Sequence, residues 1–205
     1  QLADFKKEYG KEADTHMTVN TVLFFETKSV LAALKDSGAR IGIISTKYRF
    51  RIKELLDLHF SENFFDIILG GEDVKNLKPS PEGLLMAIKE LHVTKAETLY
   101  IGDSTIDAET AKAAGVNFAG ITHGVTAAEE LSEYPHWKIM SSLEELLEDN
   151  KRQTVAATAS SPSADTPSAP SSPTPPRRKR INIWQILLLA LFLWLAYEES
   201  ETAES

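Results

Sequence analysis

The chain has 205 residues, with 22 Lys and Arg against 30 Asp and Glu and a formal net charge of −8, room for one substantial domain plus appendages. Residues 1–150 carry 16 basic and 25 acidic side chains, a net of −9, and so acidic a stretch argues against nucleic acid as a partner. Cysteine is absent, which excludes a disulfide framework, a thiolate nucleophile and a cysteine zinc site; no charged and apolar leader follows Gln1, so no signal peptide is expected.

Leu2, Phe5 and Tyr9 recur at helical spacing and predict one amphipathic helix, followed by an entry segment running to Phe24 and Phe25. From Thr27 helices and strands alternate. Ser29 to Lys35 reads as a helix stopped by Gly38, Ile41 to Ile44 as a strand, Arg49 to Phe60 as a helix and Asp66 to Leu69 as a strand. Pro81 fits the first turn of a helix reaching His92 with Ser80 as its cap. Leu99 to Ile101 is the next strand, Ile106 to Ala114 a helix stopped by Gly115, and Val116 to Ile121 a further strand. Thr126 with Glu129, and Ser142 with Glu145, have capping-box spacing and mark two more helix starts. Trp137 to Met140 between them is a last short strand. This alternation predicts an α/β fold, a Rossmann-like parallel sheet with helices on both faces.

Composition changes after Asn150. Residues 151–180 are rich in Ser, Ala, Thr and Pro and end in the basic cluster Arg177, Arg178, Lys179 and Arg180, which predicts a disordered linker. Ile181 to Tyr197 is then seventeen residues without a charge. That length is near the lower limit for a bilayer span, and Trp184, Trp194 and Tyr197 suit its interfaces. The expectation is a single transmembrane helix over 181–197, with the basic cluster on the cytoplasmic side and the acidic tail 198–205 across. The α/β domain would then be tethered to the lipid bilayer of the cell membrane, facing the cytoplasm.

Phosphate chemistry is suggested at three points. In LYIGDSTID, Gly102 lets the backbone turn at the end of a buried strand and leaves Asp103 at the sheet's carboxyl edge, where open α/β sheets bind ligands. Asp107 lies one helical turn on, so both carboxylates can face one small space suited to Mg²⁺. Read alone, this is equally an exposed turn in which Asp103 caps a helix and Asp107 is a solvated first-turn acid. Ser45 and Thr46 follow the strand IGII, where hydroxyls and backbone amides can hold phosphate oxygens; otherwise they are a helix cap. Lys78, just before Pro79, can neutralise charge on a transferring phosphoryl group, or be an ordinary loop lysine. Their joint appearance in this order favours the functional reading. The five histidines show no ligand spacing, Glu72 and Asp73 read as a solvated loop, and Lys47, Arg49, Arg51 and Lys53 as an exposed helix face, with Arg49 able to reach an anionic substrate.

The stretches IGIISTKYR, LKPSPEGLLMAI and LYIGDSTIDAETAKAAGV resemble the second, third and fourth motifs of the haloacid dehalogenase superfamily, in particular its phosphoglycolate phosphatase-like branch. The resemblance covers about Val22 to Leu147. It implies that Ser45 hydrogen-bonds the transferring phosphoryl group, that Lys78 steadies nucleophile and phosphate, and that Asp103 binds Mg²⁺ with Asp107 supporting the metal site. It also implies that residues 1–24 are the end of a helical cap and 25–150 the hydrolase core. The implied function is Mg²⁺-dependent hydrolysis of a small phosphorylated metabolite through an aspartyl-phosphate. The family's first motif, a strand ending in Asp-x-Asp-Gly that supplies the nucleophile, has no counterpart here. In the family that strand lies between the equivalents of Ile41–Ile44 and Leu99–Ile101. The expectation is therefore an amino-terminally truncated phosphatase, inactive as it stands because no carboxylate forms the phospho-enzyme. Competing readings are a pyrophosphatase or phosphosugar mutase of the same superfamily, and a catalytically dead tethered binding or scaffold module. A metal-free dehalogenase fits the acid pair less well.

Overall fold

The computed structural model describes residues 23–124, 126–148 and 186–190. The expected cap helix, the linker, most of the 181–197 run and the acidic tail lie outside these residues. In chain order the elements are α1 (Thr27–Asp36), β1 (Arg40–Ile44), α2 (Arg49–Asp57), β2 (Ile67–Leu69), α3 (Glu82–Glu90), β3 (Thr98–Gly102), α4 (Thr105–Ala114), β4 (Asn117–Ile121), α5 (Ala128–Ser132), β5 (Lys138–Met140) and β6 (Ile186–Ala190). Helices and strands fall where the periodicity places them, within a few residues at each end.

All six strands are parallel, in the order β2-β1-β6-β3-β4-β5. Alternate strand residues face opposite sides. Ile44, Tyr100 and Phe118 pack with Leu84, Ala87 and Ile88 of α3, Ala108 and Ala111 of α4, and Leu131 of α5. On the other side Ile41, Leu99, Ile101 and Ala119 pack with Val30, Leu31 and Leu34 of α1, and Ile43 with Ile52 and Leu56 of α2. Helices thus cover both faces of a parallel sheet, the expected Rossmann-like arrangement. Burying both faces explains why these strands are apolar runs, without alternating polar positions.

Two local expectations are corrected. Thr126 and Glu129 do not form a capping box: α5 starts after Ala127 with no side-chain cap, the cap position falling on an alanine one residue beyond Thr126. Ser142 accepts from the Glu144 amide, while Glu145 reaches back to the Ser141 amide at 2.8 Å.

Of the expected membrane helix over 181–197, only Ile186–Ala190 falls among the described residues. Ile186–Ala190, inside the seventeen-residue uncharged run, is the strand β6 and stands between β1 and β3. Arg40 to Ile44 pair with Ile186 to Ala190, and Thr98 to Ile101 with Ile186 to Leu189. A short apolar run satisfies a central parallel strand as well as part of a spanning helix, and periodicity does not separate the two. Among the described residues no helix is long and apolar enough to cross a membrane.

Candidate active site

The carboxyl ends of β1 and β3 carry the predicted groups. Ser45 follows β1, is 9% exposed, and is held by its amide donating to the Leu69 carbonyl at 3.0 Å. The Lys47 amide donates to Ser45 Oγ at 3.2 Å. Thr46 is exposed. Ser45, Thr46 and Lys78 line one small cavity together with Gly70, Asn76 and Ser80. Asp103 lies outside that lining.

Asp103 and Asp107 are 4% and 0% exposed, which rules out the solvated-turn reading. The helix cap is Ser104, whose Oγ accepts from the Asp107 amide at 3.3 Å. Asp107 is fully engaged within the protein. Its Oδ1 accepts from Lys78 Nζ at 2.7 Å and from the Tyr100 hydroxyl at 3.2 Å, and its Oδ2 accepts from the Ser104 hydroxyl at 2.6 Å. Lys78, itself 10% exposed at its side chain, is thereby locked onto α4.

Gly102 precedes the expected bend at Asp103 and Ser104 and has a second role as well. It is the last residue of β3, and a Cβ there would stand 2.3 Å from the Asp107 Cβ. Glycine makes room for the carboxylate. Gly124 does the same for Asp103, since a Cβ at Gly124 would lie 2.3 Å from Asp103 Oδ2.

Asp103 is the member of the set with unmet bonding capacity. Its Oδ1 is buried without a hydrogen-bond partner. Burial, and then the neighbouring Asp107 charge, push its carboxyl up to about 7, with the Lys78 charge opposing them. A buried carboxylate oxygen with no donor is the arrangement a cation relieves. Among the described residues no three His, Asp or Glu side chains converge on one point, so an ion would rest on Asp103 with water and substrate oxygens completing its shell. That donor set suits Mg²⁺, which binds through one or two carboxylates and keeps several waters.

Two contributors, Tyr100 and Ser104, are not legible in the sequence as site residues. Tyr100, 0% exposed, reads from the sequence as a core strand residue, yet its hydroxyl supports Asp107. Ser104 was hidden beside Asp103; a Ser three residues before an acid is the signal that marks it. Glu72 accepts from the Arg49 amide at 2.8 Å and so caps α2, while Asp73 pairs with the Arg49 guanidinium at 2.9 Å. Arg49 is thus tied to its own loop. Lys47 is half-buried, and burial followed by the Arg51 charge lowers its pKa, contrary to the exposed face expected.

Residues 1–121 match the model of the haloacid dehalogenase-like hydrolase family. The phosphoglycolate phosphatase of Salmonella typhi is 34% identical over 143 residues, covering 70% of this chain and 55% of that protein. The phosphoglycolate phosphatase of Colwellia psychrerythraea is 33% identical over 137 residues, covering 66% and 60%. This chain thus spans little more than half the length of these curated relatives. The crystal structure of a haloacid dehalogenase-like hydrolase from Bacteroides fragilis is 56% identical, with a TM-score of 0.68 over 71% of this chain and 70% of that one. A Thermotoga maritima structure designated a β-phosphoglucomutase is 28% identical, with a TM-score of 0.60 over 74% and 70%. The buried acids, the lysine and the serine at the carboxyl edge of this sheet therefore stand in a member of the haloacid dehalogenase-like hydrolase family.

Proposed function

We propose that this chain carries the phosphate- and metal-binding part of a Mg²⁺-dependent phosphatase acting on a small phosphorylated metabolite, with phosphoglycolate the first candidate. The observation that carries this reading is Asp103, a buried carboxylate with an unpartnered oxygen next to a buried Lys78–Asp107 pair. Likeness to the phosphoglycolate phosphatases supports the substrate class.

In this reading the Ser45 hydroxyl donates to a phosphoryl oxygen at the end of β1. Lys78, its Nζ fixed by Asp107, places positive charge where the phosphoryl group gathers negative charge during transfer, and being already oriented it needs no rearrangement. Tyr100 and Ser104 hold the Asp107 carboxylate so that it orients Lys78 and supports the metal site beside Asp103. Asp103 would hold Mg²⁺, which when bound supplies charge neutralisation to the phosphoryl oxygens. Hydrolysis through an aspartyl-phosphate also needs a nucleophilic carboxylate at the same edge. No Asp-x-Asp segment occurs in these 205 residues, so binding without turnover is expected of this chain. A membrane tether over 181–197 is kept as part of this reading on the length and aromatic flanks of that uncharged run.

Calorimetric titration with 2-phosphoglycolate in Mg²⁺ tests the proposal. Saturable binding that weakens at least tenfold in Ser45→Ala and in Lys78→Met is expected, and binding unaffected by either substitution contradicts it. A second reading, phosphoryl transfer on a sugar, draws on the likeness to the Thermotoga maritima structure. Preference for β-glucose 1-phosphate over phosphoglycolate in the same titration would favour it.

A further inference from the structure

Lys78 stands in a loop whose own sequence supplies few anchors. Between Asn76 and Glu82 the chain reads Leu-Lys-Pro-Ser-Pro, and its two prolines leave three backbone donors among five residues. One of the three, the Ser80 amide, donates to the Leu77 carbonyl at 3.0 Å and closes a single turn. Leu77 is exposed. The Lys78 ammonium is fixed to Asp107, but the flexible carbon stem of a lysine separates that contact from the backbone. The backbone therefore needs an anchor of its own.

Glu82 supplies it. Its Oε1 accepts from the Lys75 amide at 2.8 Å, and its Oε2 from the Asn76 amide at 3.0 Å and from Asn76 Nδ2 at 2.9 Å. An acid in the first turn of a helix ordinarily serves the helix dipole or the free amides at that helix's start. This one reaches six and seven residues back along the chain instead. The donors keep its carboxyl below the usual carboxylate range, the Lys75 amide contributing most and the Asn76 side chain next, so the contacts are charge-assisted. The residue beside it fixes where this clamp stands. Gly83 is buried, and a Cβ there would lie 3.2 Å from Ile44 Cγ2. Ile44 immediately precedes Ser45. Asp107 thus relates Lys78 to Asp103, and Glu82 relates it to the end of β1.

We propose that Glu82 is a positioning residue of the phosphate site: its carboxylate gathers the Lys75 and Asn76 amides onto the first turn of α3 and holds the Lys78 backbone in place relative to Ser45. With Asp107 gripping the other end, Lys78 is oriented before any ligand arrives, which is what stabilising charge in a transfer site requires. Glu82 acts through Lys78 and not on the substrate. The role given to Lys78 rests on the phosphatase reading, whereas the clamp does not.

The test is calorimetry on the full chain, with Mg²⁺ alone and with 2-phosphoglycolate in Mg²⁺. The proteins are the parent, Glu82→Gln and, as a control, Glu90→Gln at the exposed far end of α3. Glu82→Gln is expected to weaken phosphoglycolate about tenfold, the scale of one charge-assisted hydrogen bond, and to leave Mg²⁺ affinity within about twofold. A merely structural role would lower both together, and equal losses overturn the proposal. So does an equal loss of phosphoglycolate affinity in Glu90→Gln. Placed in Lys78→Met, Glu82→Gln is expected to cost less than about twofold further. An undiminished loss there overturns the proposal, because Glu82 would not be acting through Lys78. Amide exchange of Asn76, Leu77 and Lys78 is expected to speed about tenfold in Glu82→Gln, and unchanged exchange overturns the clamp. If Glu82→Gln does not fold, Asn76→Ala, which deletes one of the three donors, is expected to give the same split at about threefold, and equal losses overturn the proposal again. A parent that binds no phosphoglycolate refutes the phosphatase reading, and amide exchange then decides the clamp.

Discussion

Lys78 and Asp107 form a buried ion pair across 29 residues of sequence, with Nζ 2.7 Å from Oδ1 and Asp107 fully enclosed. The pair couples the loop before α3 to the first turn of α4, and so fixes the cation of the site relative to Asp103. Removing one partner of such a pair strands the other in a low-dielectric interior. Lys78→Met is expected to destabilise the protein by about 3 kcal/mol, measured by urea unfolding. Lys78→Met combined with Asp107→Leu should cost clearly less than the sum of the two single changes. Strict additivity would mean that the two groups do not interact.

Tyr100 supplies a smaller support to the same carboxylate. Tyr100→Phe keeps the packing against α3 and α4 and deletes the hydrogen bond to Asp107, for an expected loss of about 1 kcal/mol. Its hydroxyl is also held far from ionisation by burial and then by the Asp107 charge, so no absorbance change of this tyrosine is expected up to pH 10. A tyrosine titrating normally at this position would contradict the enclosed geometry.

Asp103 makes stability depend on pH in a definite direction. Its carboxyl is raised from 3.8 in a free side chain to about 7 in the fold, so the folded protein favours the neutral form. The stability contributed by this group is fully present below about pH 4 and is lost as pH rises through 7. Without divalent cation, the Asp103→Asn variant should be more stable than the parent by on the order of 2–4 kcal/mol at pH 8, with the advantage gone near pH 4. Thermal melts across that range check it. An advantage independent of pH would mean that Asp103 is not desolvated.

Gly102 and Gly124 are positions where a single methyl group should disturb the site. A Cβ at either meets an aspartate side chain at 2.3 Å, and forcing it in is expected to cost about 1–3 kcal/mol. Gly124→Ala should displace Asp103 and weaken cation binding more than it lowers stability, while Gly102→Ala should act chiefly on stability through Asp107. Calorimetry and unfolding of the two variants separate these effects.

Much of this architecture was legible because the elements declare themselves in local chemistry. Gly115 takes a left-handed φ of 70° at the end of α4, the runs at Ile41–Ile44 and Leu99–Ile101 are too short and apolar for exposed helices, and Ser45, Lys78 and Asp103 each follow or precede an element boundary. What was not legible depends on contacts distant in sequence. The apolar run holding Ile186–Ala190 satisfies either a bilayer or a sheet interior, and local pattern does not separate the two. Tyr100 reads as core since its ring is core; only the fold puts its hydroxyl on Asp107. Gly102 is explained by Asp107, five residues on, as much as by the bend that follows it.

The measurement that bears most directly on this account is Mg²⁺ titration of the full chain at pH 8 by isothermal calorimetry, beside Asp103→Asn. The account predicts a single saturable site in the parent whose affinity falls at least tenfold in the variant. Equal Mg²⁺ binding by both proteins, or none by either, would contradict it.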